Sequence, residues 1–293
     1  MRVISLVPSA TETLYLLGAG DDVVGVTYAC DQPPEARMKK VVVTPAFDTS
    51  DMPEEVIDSL VREYSRMGKS LYKILWEDLK DLKPDLIIVQ GVCDVCAVTP
   101  KSLDGELYKV AKVLEVSPRS VSEILADILA IGEAVGRRQE ALELVEGIRV
   151  RIDRITELSV GLGRRRVFFM EWLDPPFCSG HWIPELVEIA GGHDLGAKGL
   201  HSRRVTEPEI LAHNPEIIIA APCGFNLQRA RDDAYKLLSS KYTGRSHVYA
   251  VDAGRYFSRH GPGIADAAEI LAEIIHPIVY KGYAPEGSYA GIE

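Results

Sequence analysis

Two stretches of this chain repeat one another, and the repeat limits the fold more than any other feature of the sequence. "LKDLKPDLIIVQGVC", from Leu79, is echoed by "ILAHNPEIIIAAPCG", from Ile210. In each, a helical pattern ends at a proline and an acidic residue precedes an apolar run that reads as a buried strand. A cysteine stands just past the strand end. The segments that open the two halves correspond as well. "RVISLVPSATETLYLLGAGDD", from Arg2, runs strand, loop, helix, glycine pair, acidic residue, and "RVFFMEWLDPPFCSGHWIPELVEIAGGHD", from Arg166, does the same with a longer loop. Strands alternating with helices imply parallel sheets covered by helices. A doubled unit of this kind in 293 residues predicts an α/β protein of two Rossmann-like lobes with parallel sheets.

Between the halves the pattern changes. From 120 to about 158, Ile124, Ile128, Ile131, Val135, Leu142, Val145, Ile148, Ile152 and Ile155 recur at helical spacing. This predicts a rigid connector or a pair of packed helices, with Gly136 as the point of interruption. The expected limits are 1–118 for the first lobe, 119–161 for a long bridging helix, and 162–293 for a second lobe with a closing helix over 262–279. In the first lobe strands are expected over 2–7, 23–27, 41–43 and 85–90, and helices over 10–17, 53–67 and 71–82. Ser9 reads as the first N-cap, with Glu12 completing a capping box. In the second lobe strands are expected over 167–170, 217–221 and 248–251. Such sheets bind ligands outside the carboxyl ends of their strands, so two lobes joined by a helix would face each other across a cleft. The stretch 171–192, "EWLDPPFCSGHWIPELVEIAGG", reads as a loop leading into a helix and holds two of the three tryptophans. Loops are usually polar, so these rings are expected to line the cleft.

Charge and composition exclude several classes. A net charge of −10 repels phosphate backbones, so nucleic acid is not an expected partner. No run approaches the roughly 18 apolar residues of a membrane span. The N-terminus lacks the basic and apolar regions of a secretory signal, which predicts a cytoplasmic protein; export with the leader removed is the alternative. The five cysteines have no disulfide-scaffold spacing. Nucleophilic catalysis is poorly supported: "FCSGHW" and "SRHGPG" place serine, cysteine and histidine too close in sequence to align readily as nucleophile and base. "GAGDD" and "AGGHD" follow helices and read as caps rather than dinucleotide loops. No enzyme is expected.

"RVISLVPSATETLYLLGAG", "LKPDLIIVQG" and "HNPEIIIAAP" together resemble the helical-backbone class of ABC-transporter substrate-binding proteins, most closely the vitamin B12-binding branch. The resemblance covers essentially the whole chain. It implies two lobes bridged by a long helix, a corrinoid such as cobalamin as ligand in the interlobe cleft, no required cofactor, and an ABC-transporter permease as partner. A corrin needs flat apolar walls and a few polar partners. The strand-end candidates are Ser9, Tyr28, Phe47, Gln90, Trp172, Phe177, His181, Trp182, Phe225 and His260; Trp182 reads equally as a core residue of the following helix. Members of the class place a surface glutamate on each lobe for docking. Glu77 matches in the first lobe, and in the second the offset falls on Pro208, flanked by Glu207 and Glu209. Cys93, Cys96, Cys178 and Cys223 all follow strands. They read either as core thiols or as soft ligands converging on a metal, with His181 or His260 as borderline partners. Alternative readings are a binder of another metal chelate, haem or iron–siderophore, and a thiol- or metal-dependent enzyme using Cys93 and Cys96.

Overall fold

The computed structural model describes residues 1–91, 106–242 and 245–292. They divide into two units, Met1–Pro118 with Ser122–Glu146 and Arg119–Val121 with Gly147–Glu293. The first contains β1 (Val3–Ser5), α1 (Pro8–Leu16), β2 (Val23–Thr27), β3 (Lys40–Pro45), α2 (Glu54–Arg66), β4 (Tyr72–Ile74), α3 (Trp76–Asp81), β5 (Leu86–Gln90), α4 (Leu107–Val110) and β6 (Lys112–Val116). Its sheet runs β4-β3-β2-β1-β5-β6, parallel except for β4. Both faces are covered, so the central strands are apolar throughout. Alternation along the strands sends Ile4, Ile87 and Val89 against Leu79 and Leu107 on one face. Val3, Leu86 and Ile88 meet Ala10, Leu14 and Ile131 on the other.

Two helices follow, α5 (Val121–Ala134) and α6 (Arg138–Ser159), and the division between the units falls within α6. The second unit continues with β7 (Arg165–Trp172), β8 (Phe177–Cys178), α7 (Ile183–Ile189), β9 (Gly192–Asp194), β10 (Arg203–Arg204), α8 (Glu207–His213), β11 (Ile217–Ala220), α9 (Leu227–Tyr242), β12 (His247–Val251), α10 (Ala253–Tyr256), α11 (Ile264–Ile275) and β13 (Tyr289–Ile292). Its sheet runs β10-β8-β7-β11-β12-β13, with β9 also beside β7. The two sheets share no strand. Nine of the α11 side chains are buried, as an apolar helix requires when it packs within a core.

The repeat appears atom by atom at the amino ends of the strands. In the first lobe the Arg2 N–H donates to Asp85 Oδ2 at 2.7 Å and its Nε donates to the Leu82 carbonyl at 2.6 Å. In the second the Arg166 N–H donates to Glu216 Oε2 at 3.0 Å and its Nε donates to the Asn214 carbonyl at 2.7 Å. The acidic residue after each proline is therefore half of a clasp between two adjacent strands. The turn before each proline also recurs, with Lys83 at φ 44° and Asn214 at φ 50°.

Several expectations are corrected. The Ser9–Glu12 capping box does not form: Val7 is the N-cap of α1, and Pro8 occupies the first turn, where its missing N–H costs nothing. The helix expected over 71–82 is a strand followed by a short helix. Tyr72 and Ile74 pack on the core while Lys73 is exposed, a period of two that the longer apolar run concealed. The single long bridging helix is two, because Gly136 adopts φ +71°. The sheets are mixed rather than parallel, since β4, β8, β10 and β13 pair antiparallel. The stretch 171–192 is not a plain loop. β7 extends to Trp172, turns over 173–176 and returns as β8, with Phe177 opposite Trp172.

Candidate functional site

Because β7, β11 and β12 are parallel, their carboxyl ends share one edge of the second sheet. Trp172 ends β7, Phe225 lies beyond β11, and His260 lies beyond β12. Trp172 and Phe225 meet edge to face with ring centres 5.4 Å apart, and the Arg229 guanidinium sits 3.6 Å over the Phe225 ring. The loops are laced together. The Gly254 N–H donates to the Phe225 carbonyl at 2.8 Å, and the Gly224 N–H donates to Ser258 Oγ at 2.9 Å. The Trp172 indole N–H is buried and has no acceptor among the described residues.

A second group of rings follows β8. His181 stands at φ +53°, unusual for a residue with a side chain. Its N–H donates to the Leu200 carbonyl at 2.6 Å and its carbonyl accepts from the Gly199 N–H at 2.9 Å. Trp182 is 6% exposed, with His181 5.9 Å and His260 5.8 Å from it, centre to centre. Trp182 is thus a buried residue at the start of α7 with a histidine on either side. Burial lowers His181 and His260 to about 4, so both rings are neutral at pH 7. His260 Nδ1 is buried and has no hydrogen-bond partner among the described residues.

Two acids lie on the neighbouring strands β7 and β9. Glu171 Oε1 accepts the Gly180 N–H at 2.8 Å, and burial raises the carboxyl to about 8. Asp194 accepts N–H groups from Phe169 at 3.0 Å and Gly196 at 3.2 Å as well as the Ser179 hydroxyl, and burial raises it to about 6. At neutral pH Glu171 is therefore mainly in its uncharged form.

In the first lobe, Ser9 and Gln90 are 3% and 2% exposed, whereas Tyr28, just past β2, is 49% exposed. Phe47, past β3, is half-buried and meets Tyr64 edge-on at 5.2 Å.

Of the four cysteines expected to converge, Cys93 and Cys96 lie outside the described residues. Cys178 is buried and Cys223 is half-buried. No group of three or more His, Cys, Asp or Glu among the described residues is arranged to hold a metal. Cys30 accepts a hydrogen bond from the Thr11 hydroxyl at 3.1 Å, as a core thiol does. Of the glutamates expected to dock, Glu77 and Glu207 are exposed in the first turns of α3 and α8. Glu209 is already engaged. It completes a capping box with Thr206 and pairs with Arg203 at 2.8 Å, and these contacts hold it at about 2.

Residues 3–248 match the family described as periplasmic binding protein. The chain belongs to the periplasmic binding protein family. Among relatives of this family member, the uncharacterized ABC transporter substrate-binding lipoprotein YvrC of Bacillus subtilis is 27% identical, over 96% of this chain and 81% of its own. A vitamin B12-binding protein of Photorhabdus laumondii is 23% identical over 93% of this chain and 87% of its own. The vitamin B12-binding protein BtuF of Vibrio cholerae superposes with a TM-score of 0.67 at 22% identity, covering 96% of this chain and 98% of that one. A periplasmic heme-binding protein of Pseudomonas aeruginosa does so with 0.72 at 15%, covering 100% and 98%. The cytoplasmic expectation is overturned by these relatives, which are named as a lipoprotein and as periplasmic proteins. The family and the solved structures it resembles are solute-binding proteins.

Sequence reading found the strand-end rings but missed His201, Arg229 and Glu171. His201 reaches His181 through the two-residue pairing of β8 with β10, too short to leave a periodic signal. Arg229 lies on a helix whose polar residues read as solvated surface.

Proposed function

We propose that this periplasmic binding protein is exported, captures a corrinoid of the cobalamin type, and delivers it to an ABC-transporter permease. The observation that carries the reading is the set of rings at the carboxyl edge of the second sheet, Trp172, Phe225, His181, Trp182 and His260. Trp172 and His181 are half-buried, and with Phe225, Trp182 and His260 packed against them they suit a flat ring whose margin carries amides. Relatives named for vitamin B12, matched along most of this chain, support a corrinoid in preference to haem. Glu77 and Glu207 are the docking residues of this reading, and Glu209 serves as a cap.

The test is calorimetric titration with cyanocobalamin, followed by desalting and a visible spectrum, with hemin run in parallel. A saturable 1:1 isotherm and retained corrinoid colour are expected. Retention of hemin with loss of cyanocobalamin would overturn the corrinoid assignment.

A further inference from the structure

We propose that His181 and His201 form a binding site for a borderline divalent transition-metal ion of the zinc, cobalt(II) or nickel class. His181 Nε2 and His201 Nδ1 approach to 3.1 Å. Zinc–imidazole bonds of about 2.0–2.1 Å in tetrahedral geometry place two such nitrogens a little over 3 Å apart, so the pair already has the spacing of two ligands on one ion. This is the only side-chain hydrogen bond of either ring among the described residues. The rings stand nearly perpendicular, at 88°, with centres 5.0 Å apart. In that hydrogen bond one of the two nitrogens carries the proton; shifting it to the other nitrogen of the same ring, with a small rotation of each ring, turns both lone pairs toward a shared point.

The frame behind the pair is built for close approach. His181 and the 199–200 backbone exchange two hydrogen bonds, at 2.6 and 2.9 Å, which hold His181 in its left-handed conformation. Backbone strain of this kind persists where the surroundings over-determine it. Gly180 lets the facing segment come in: a Cβ there would stand 2.6 Å from the Leu200 carbonyl oxygen and closer still to the Ser202 nitrogen. The β8–β10 pairing of Cys178 with Arg203 fixes the register that sets the two histidines side by side. His201 is exposed and His181 half-buried, so an ion can enter from solvent and complete its shell with water. Imidazole suits this group of metals and excludes the hard cations calcium and magnesium.

The test is titration of the intact protein with Zn²⁺ by calorimetry, and with Co²⁺ by visible absorption, for the native chain and for His181→Gln, His201→Gln and His193→Gln. His193 lies in the same lobe, 5.7 Å from His213 by ring centres, and controls for casual histidine binding. One ion per chain is expected, with a cobalt ligand-field band of nitrogen ligation. Binding should weaken at least about tenfold in His181→Gln and His201→Gln, with native circular dichroism, and remain unchanged in His193→Gln. Absence of zinc binding in the native chain, native-like affinity in His201→Gln, or equal loss in His193→Gln would overturn the proposal. Because no macrocycle is present, these outcomes stand apart from success or failure of corrinoid binding.

Discussion

Trp172 ends β7 with its ring against Phe225, and Phe225 in turn lies under Arg229. Loss of that wall in Trp172→Ala should weaken cyanocobalamin binding by about 1–3 kcal/mol, the scale for one large buried side chain. Titration of the folded variant checks this; unchanged affinity would place the ring elsewhere. Glu171 permits a prediction with a definite sign. Its folded value, about 8, stands above the ordinary glutamate value of 4.5, so the folded state binds the extra proton between these values. Its contribution to stability is therefore full at low pH and declines as pH rises through that window. Glu171→Gln keeps an oxygen for the Gly180 N–H and removes the titration. Thermal melts should show the variant gaining on the native protein toward pH 8 and matching it most closely near pH 4.5. A constant difference across that range would refute the assignment. Aromatic residues after apolar runs were legible from sequence because strand ends are readable. Glu171 was not, since a carboxyl inside a strand gives no sign of the burial that neutralises it.

At the scale of elements, two glycines decide how α5 passes into α6. Gly136 supplies the left-handed residue, and Gly132 lies where a Cβ would stand 2.9 Å from the Arg137 carbonyl oxygen and press still closer on the Ala141 Cβ. Gly136→Ala should cost about 1–2 kcal/mol from backbone strain alone. Gly132→Ala should cost more, because rigid neighbours must separate; denaturant melts rank the two, and the reverse order would refute this. At α8 the capping box predicts that Thr206→Ala destabilises by about 1 kcal/mol, measured the same way. Strands such as β2 and β5, apolar along their length and bounded by turns, were read within a residue of their limits. The hairpin of β7 and β8 was not, because a strand of two residues has no period. The β4–α3 segment failed for the opposite reason: its apolar residues fit two periods, and tertiary pairing with β3 chose between them.

At the scale of the whole molecule, the proposed function makes delivery and capture separable. Glu77→Lys with Glu207→Lys should abolish corrinoid uptake in exporting cells that lack their own B12-binding protein, while titration shows native affinity. Retained uptake would exclude these residues from docking. The two-lobed plan was the most legible feature of all, because the chain states it twice. The arginine clasps at Arg2 and Arg166 give that duplication a meaning in descent. Each half closes itself at the amino edge of its sheet, away from the carboxyl edge that carries the rings. Change at the carboxyl edge then leaves the latch of the frame intact. A frame closed at one edge can vary at the other without relearning how to fold, and solved structures named for vitamin B12 and for heme share this fold at 22% and 15% identity.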